Sequence, residues 1–366
     1  MYIEETDPVH LAAAIGEFSN GAAALICVAE DTEIDINLLI KELNAKEISF
    51  AGGIFPRVIY RQQVFTKGVV VSTHDSLVEE GVFMIQNIHS KDFEIPYKKL
   101  DDNSNYCVVT FVDGLTSNIS FYLSELYRQF GNKTIYIGGG AGSISLNQRP
   151  CVFNCEGIFE NAAVFMLLKG EVSTGVKHGW VKIAGPVIAT KTNRNIINQL
   201  NWQNAFDVYK DALGQNRHLT IEKENFFNIS KAFPFGILKD GMEYVVRDPI
   251  GVDEDGGLIC VGEVPENTML DILEGKNGML IAAAKEAALA CVKSAKHSKK
   301  AFIIDCISRV LFLEEDFQKE LNDVAQVLNT CEPDSISGAL TLGEIASEGN
   351  GYLEFYNKTI VVGLFE

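Results

Sequence analysis

The chain has 366 residues, of which 47% are hydrophobic and 22% are charged. This composition is typical of a globular protein with room for two or three domains, and it excludes a disordered chain. The 49 acidic side chains outnumber the 31 basic ones and give a formal net charge of −18. Because such a surface repels phosphate groups, we expect neither nucleic acid nor a membrane as a partner.

The first eight residues contain no basic stretch and no apolar core, so we predict no signal peptide and a cytoplasmic location. Apolar runs such as residues 162–168 are shorter than the roughly 20 residues that a membrane-spanning helix needs. Among eight cysteines, only Cys151 and Cys155 form a close pair, and no histidine lies near them. We therefore expect buried thiols and no metal site.

The pattern in the first half of the chain predicts a unit of one strand, one helix and three strands, and then a second unit in which the same order recurs. Asp35 is the expected cap of the first helix. The first unit has a strand at 22–28, a helix at 35–44 and strands at 48–52, 64–72 and 81–87. The second begins with a strand at 106–112, a helix after Thr116 and a strand at 134–138. The shared order predicts an internal duplication in the N-terminal domain.

Residue identities support this duplication, because Phe-Ala-Gly-Gly at 50–53 matches Ile-Gly-Gly-Gly at 137–140. Gly139, Gly140 and Gly142 permit a close approach of the backbone to a ligand, or they simply allow a tight turn between packed strands. A dinucleotide-binding motif would require a helix directly after these glycines, and residues 143–150 favour a loop instead.

The second half predicts a β-meander over 161–192 and then mainly helical structure over 194–230. This segment is followed by three strands (233–246, 258–262, 268–273) and by a helix at 277–296 that Asn277 caps. The chain then continues with a strand at 301–305, a helix at 316–328 and two last strands. We therefore predict an α+β protein with mixed β-sheets flanked by helices, divided into domains 1–215 and 216–366.

Polar residues interrupt three apolar strands near the end of the chain. Cys306 and Arg309 follow the strand at 301–305, Gly343 and Glu344 interrupt the next, and Asn357 begins the last. If these strands are neighbours, the polar groups converge on one small ligand. Arg309 would grip a carboxylate while Glu344 takes an ammonium group, which fits an amino acid. Alternatively, Arg309 and Glu344 pair with each other inside the core.

Several short motifs, in this order and spacing, resemble the FIST family of bacterial intracellular sensory proteins, in both its N-terminal and C-terminal domains. They are Asp113-Gly114, the glycines at 138–142, His178-Gly179-Trp180, the segment 195–209, Val246-Arg247, Cys306-x-x-Arg309, Gly343-Glu344 and Asn357-x-Thr359. The resemblance implies a protein that senses a small ligand, with amino acids as the proposed class. It also implies a separate partner such as a histidine kinase or a cyclic-di-GMP enzyme.

The same resemblance implies a pocket made by Cys306, Arg309, Gly343, Glu344 and Asn357, with Gly139 to Gly142 and His178 contributing from the first domain. Two other functions stay open. One branch of the family binds haem and senses nitric oxide, which would need an axial ligand such as His178. An enzyme would use Cys306 as nucleophile, provided that its pKa is lowered, and His178 as base.

Overall fold

The fold is mixed α/β, and most of it consists of three similar units, called lobes below. The computed structural model describes residues 1–85, 100–101, 103–217, 219–238, 243–295, 300–328, 336–348 and 352–366. Each lobe contains two parallel strands joined by a helical crossover. An antiparallel strand lies beside the first of them and a hairpin beside the second. Among the described helices, none is long and apolar enough to cross a bilayer.

Lobes 1 and 2 follow one another along the chain. Lobe 1 contains β1 (Tyr2–Ile3), α1 (Pro8–Ser19), β2 (Ala23–Ala29), α2 (Ile36–Ala45), β3 (Phe50–Phe55), β4 (Arg57–Tyr60), β5 (Gln63–Phe65) and β6 (Val69–His74). Lobe 2 contains β7 (Leu77–Met84), β8 (Tyr106–Asp113), α3 (Ile119–Phe130), β9 (Thr134–Ala141), β10 (Val152–Asn154), β11 (Gly157–Phe159) and β12 (Ala162–Lys169). The side chain of Asp35 caps α2 as expected. The predicted strand at 81–87 ends among residues outside the described ones.

Lobe 3 starts with β13 (Val172–Lys177) and is then interrupted by a large insert. The insert contains β14 (Val181–Asn193), β15 (Ile196–Leu200), β16 (Gln203–Asn204), α4 (Ala205–Arg217), α5 (Phe226–Ser230), β17 (Phe235–Ile237), β18 (Val245–Val252), β19 (Leu258–Val261) and β20 (Thr268–Glu274). Its strands pair in the order β14, β20, β17, β18, β19, β15, and β15 pairs again with β14. The insert is therefore a closed, six-stranded antiparallel barrel.

After the insert, lobe 3 resumes. It contains α6 (Asn277–Ser294), β21 (Lys300–Cys306), α7 (Ile307–Leu313), α8 (Phe317–Val327), β22 (Ile336–Thr341), β23 (Glu344–Glu348), β24 (Tyr352–Tyr356) and β25 (Ile360–Phe365). The expected cap of α6 is wrong by one position. Lys276 precedes the helix, and the Asn277 side chain bonds instead to Asp316 on the neighbouring segment.

The three lobes exchange their hairpins in a cycle. The hairpin β4–β5 of lobe 1 pairs with β22 of lobe 3, and the hairpin β10–β11 of lobe 2 pairs with β3 of lobe 1. The hairpin β23–β24 of lobe 3 pairs in turn with β9 of lobe 2. Every sheet of the three lobes therefore contains strands from two lobes, so that folding one sheet requires distant parts of the chain.

One glycine recurs in the second parallel strand of each lobe. Gly52, Gly138 and Gly338 each lie opposite the middle of the first parallel strand and of the exchanged hairpin. A Cβ atom would lie 2.6 Å from a backbone oxygen at Gly52 and 1.9 Å from one at the other two. No larger side chain fits without moving the backbone.

This pairing confirms the predicted duplication and extends it to a third copy. It also corrects the predicted alignment by one residue, because Gly138 corresponds to Gly52 and not to Ala51. The helical prediction for 195–200 is wrong. Those residues form β15, which pairs with both β14 and β19, and this pairing overrides the local pattern.

Candidate functional site

A cavity of about 590 Å³ lies where lobes 2 and 3 meet the barrel insert. Its walls come from the turn between β8 and α3, the turn between β21 and α7, and the barrel strands around Cys260 and Glu263. The first two turns follow the carboxyl ends of parallel strands, where the chain leaves a sheet for a helix. Crevices at such ends are a common place for ligands in α/β proteins.

The cavity has a buried floor and an exposed rim. Asn357, Cys306 and Phe355 line the floor and are at most 4% exposed. Residues on the rim include Arg194, which is exposed, and the apolar side chains Leu146 and Phe227. Most lining residues between floor and rim are apolar, which is typical of sites that bind small organic molecules.

Cys306 lies at the floor against Glu344, which is fully buried behind it. Glu344 accepts hydrogen bonds from Thr341 Oγ1 at 3.0 Å and from the Thr359 backbone N–H at 3.2 Å. Burial nevertheless outweighs these bonds and the one from the Cys306 thiol, and it raises the pKa of Glu344 to about 8. Burial and the neighbouring Glu344 also raise the pKa of Cys306. Both groups are therefore uncharged at neutral pH.

Asn357 and Ser308 complete the polar part of the floor. The Asn357 amide group donates to the backbone oxygens of Val246 and Val261, at 3.3 and 3.2 Å. Ser308 Oγ donates to the carboxylate of Asp248 at 3.1 Å. Both side chains thus use their donors inside the protein and keep acceptor oxygens for other partners.

A buried ion pair supports Ser308 from behind. Lys358 Nζ lies 3.0 Å from Asp248 Oδ2, and both residues are at most 1% exposed. Lys358 has a positive φ of 54°, and its ammonium group lies 4.9 Å from the centre of the Trp180 ring. The charges of Lys358 and Asp248 thus offset each other.

Arg309 does not line the cavity, although it is only three residues from Cys306. Its guanidinium group binds Glu320 at 2.5 Å, lies 3.2 Å from Asp305 and donates to the backbone oxygen of His178 at 2.6 Å. It is 0% exposed. Arg309 is thus engaged within the protein, and its carboxylate partner is Glu320 where the alternative prediction had Glu344.

His178 and the three glycines Gly139, Gly140 and Gly142 are also not among the described residues that line the cavity. His178 Nδ1 accepts the Trp180 N–H at 2.8 Å, and Nε2 lies 3.1 Å from Glu243. Gly139 pairs with Glu344 in the sheet, while Gly140 and Gly142 pack against Leu342. These glycines allow the lobe 3 hairpin to approach β9 closely, so they shape the wall from behind.

Of the predicted site residues, the structure brings Cys306, Gly343 and Asn357 to one cavity, with Glu344 directly behind Cys306. Arg309 and His178 lie elsewhere. Sequence analysis missed Arg194 and Glu263, the two charged residues of the lining. Arg194 lies in the turn between β14 and β15, which the sequence predicted as the start of a helix. No simple pattern distinguishes it from other surface arginines.

A profile of the FIST N domain matches residues 77–203, and a profile of the FIST C domain matches residues 205–347. The chain belongs to the FIST family. FIST domains are sensory modules of signal transduction that bind small ligands, and the match confirms the resemblance found in the sequence. No curated protein matches this chain. The two profiles meet between residues 203 and 205, whereas the division at residue 215 lies within α4 and stays a prediction.

Both FIST regions line the cavity. The residues from Gly114 to Asn195 belong to the FIST N region, and those from Phe227 to Gly343 belong to the FIST C region. Phe355 and Asn357 lie beyond both matched segments and close the floor. A ligand in this cavity would touch both regions at once.

Proposed function

We propose that this FIST protein is a cytoplasmic sensor that binds an amino acid or a related metabolite in the cavity. The ligand would then change how the protein interacts with a separate signalling partner, such as a histidine kinase or a cyclic-di-GMP enzyme. The observation that carries this proposal is the shared cavity of the two FIST regions. Because both regions contribute walls, binding energy in the cavity can bias their arrangement.

The charged rim supports an amino acid as the ligand. Arg194 and Glu263 are the charged side chains of the described lining, and they have opposite signs. Glu263 accepts the backbone N–H of Asn118 at 3.1 Å, which fixes its carboxylate beside the opening. Arg194 would bind the ligand carboxylate through two hydrogen bonds, and Glu263 would take the ammonium group. These two residues replace the predicted pair Arg309 and Glu344.

The two alternative functions lack a supporting observation. A haem held by His178 does not fit, because His178 is engaged by Trp180 and Glu243 and the described lining contains no histidine. Burial opposes the ionisation of Glu243, yet hydrogen bonds from His178 and Lys177 lower its pKa to about 2. A nucleophilic Cys306 would need a lowered pKa, and its pKa is raised.

A ligand screen with a blocked cavity tests the proposal. We expect thermal-shift measurements with amino acids and related metabolites to show stabilisation, by about 2.7 kcal/mol at 100 times the dissociation constant. Leu311→Trp should abolish the shift, since Leu311 lines the cavity and is 38% exposed. Leu289→Trp is the matched control, because Leu289 is 49% exposed on α6 and does not line the cavity.

The proposal fails if no metabolite stabilises the wild-type protein. It also fails if Leu311→Trp keeps the full shift, because the ligand would then bind outside the cavity.

A further inference from the structure

The polarity of the cavity changes from its rim to its floor. Full charges among the described lining residues occur only at Arg194 and Glu263. Nearer the floor, Lys358 pairs with Asp248, and Arg309 pairs with Glu320. The buried Arg247 donates to the backbone oxygens of Glu263, Val246 and Phe355, so the donors of these three cations are used within the protein. A charged ligand group would therefore lose its hydration at the floor without gaining a counterion, which costs several kcal/mol.

The floor offers hydrogen-bond acceptors. The Asn357 Nδ2 group donates to two backbone oxygens, and in the described part of the chain no group donates to its Oδ1. Ser308 Oγ donates a hydrogen bond to Asp248, and Thr116 Oγ1 donates one to Asn161 Oδ1 at 3.0 Å. All three residues line the cavity. A ligand group that reaches them must donate a hydrogen bond to satisfy these acceptors.

Apolar side chains separate these acceptors from the rim. Ile119 is buried in the wall, and Leu311 and Phe227 reach the opening. Only the apolar body of a ligand gains from contact with this zone. At about 590 Å³ the cavity has room for a body larger than the side chain of a small amino acid.

We propose that the ligand is an amphipathic compound with a charged head at Arg194 and Glu263 and an apolar body that ends in a neutral hydrogen-bond donor at Asn357 and Ser308. A phenol, an indole or an alcohol provides such a donor. Tyrosine and tryptophan are the free amino acids of this class, whereas phenylalanine and leucine lack the terminal donor. This inference rests on the proposed function, because it assigns the ligand class of the same cavity.

A matched pair of ligands tests the inference without altering the protein. L-tyrosine and L-phenylalanine differ only by the phenolic hydroxyl, so their affinities can be compared by calorimetry. We expect L-tyrosine to bind at least about tenfold more tightly, since a buried acceptor without its partner costs about 1 to 3 kcal/mol. L-tryptophan should also bind more tightly than L-phenylalanine.

Two serine variants locate the effect. Ser308→Ala removes an acceptor of the floor and should reduce the preference for tyrosine over phenylalanine severalfold. Ser120→Ala is the control, because Ser120 also lines the cavity but is exposed. It should leave the preference unchanged.

Three outcomes overturn the inference. The first outcome is that L-tyrosine and L-phenylalanine bind equally well and that Leu311→Trp abolishes both. This result would contradict the hydrogen-bond donor at the floor but not the proposed sensor. Cavity binding of a metabolite without a terminal donor, together with no binding of tyrosine or tryptophan, would do the same. No binding of any metabolite would remove the proposed function as well.

Discussion

Two groups of polar side chains that are neighbours in sequence have opposite surroundings in the structure. Cys306 and Ser308 face the cavity, while Arg309 is buried among Asp305 and Glu320 on the other side of the junction between β21 and α7. The floor on the cavity side is lined by uncharged groups with open acceptors, whereas the Arg309 side is a buried cluster of charged side chains. The difference shows that the protein uses its buried charges to fix the junction and keeps the binding floor neutral.

The largest expected effect concerns the Arg309 side. Arg309→Ala should lower the free energy of unfolding by about 3 to 5 kcal/mol, because it leaves Glu320 and three backbone oxygens without their donor. Urea denaturation measures the change. The control Arg128→Ala removes an arginine that is 63% exposed and pairs with Glu125, and it should cost at most about 1 kcal/mol.

Similar losses in the two arginine variants would show that the Arg309 cluster does not anchor the junction. Glu320→Gln provides a milder test should Arg309→Ala fail to fold, and it should still destabilise the protein.

The second effect concerns the cavity side and depends on pH. Glu344 keeps its proton in the folded protein up to a pKa of about 8, whereas in the unfolded chain it releases the proton near its usual value of 4.5. The folded state binds more protons in this window, so its stability should fall as pH rises from about 5 to about 8. The fall approaches about 1.4 kcal/mol per pH unit for one group.

Glu344→Gln should make the stability of the protein less dependent on pH in this window. Urea denaturation at pH 5, 6, 7 and 8 checks this, with Glu348→Gln at the end of the same strand as a comparison. An unchanged slope in Glu344→Gln would mean that Glu344 is ionised in the folded protein.

The smallest effect on stability is expected at the rim. Arg194→Gln alters an exposed side chain and should change the free energy of unfolding by less than about 0.5 kcal/mol. The same change should weaken binding of L-tyrosine by about tenfold, because it removes the charged partner of the carboxylate. It should barely affect tyramine, which has no carboxylate.

Lys191→Gln is the matched control, since Lys191 is an exposed cation on β14 that does not line the cavity. Equal losses for L-tyrosine and tyramine in Arg194→Gln would contradict a specific contact with the carboxylate.

The sequence predicted an α+β protein with mixed β-sheets, the duplication and three residues of the cavity, because strand periodicity and glycine positions are local features. It did not predict on which side of α7 each polar residue lies. Ser308 and Arg309 are adjacent, and only the packing of α7 against α8 and α6 decides that Arg309 points into the core. The local sequence pattern does not indicate which face of α7 packs against the core.

The third lobe was missed for a different reason. Its hairpin partner comes from lobe 1, and the barrel insert separates β13 from α6, so the repeated order is interrupted along the chain. Only Gly338 marks its second parallel strand, whereas lobe 2 has three consecutive glycines at the same place. The pairing of strands reveals the third copy where residue identity does not.

The cyclic exchange of hairpins has a consequence for protein synthesis. The hairpin β4–β5 is translated well before its partner strand β22, because lobe 2 and the barrel insert lie between them along the chain. Its unpaired edge stays open to other nascent chains in the meantime, which is a known hazard of exposed strands. We expect residues 1–203 and residues 205–366, which separate β4–β5 from β22, to form inclusion bodies when expressed separately and to remain in solution when expressed together.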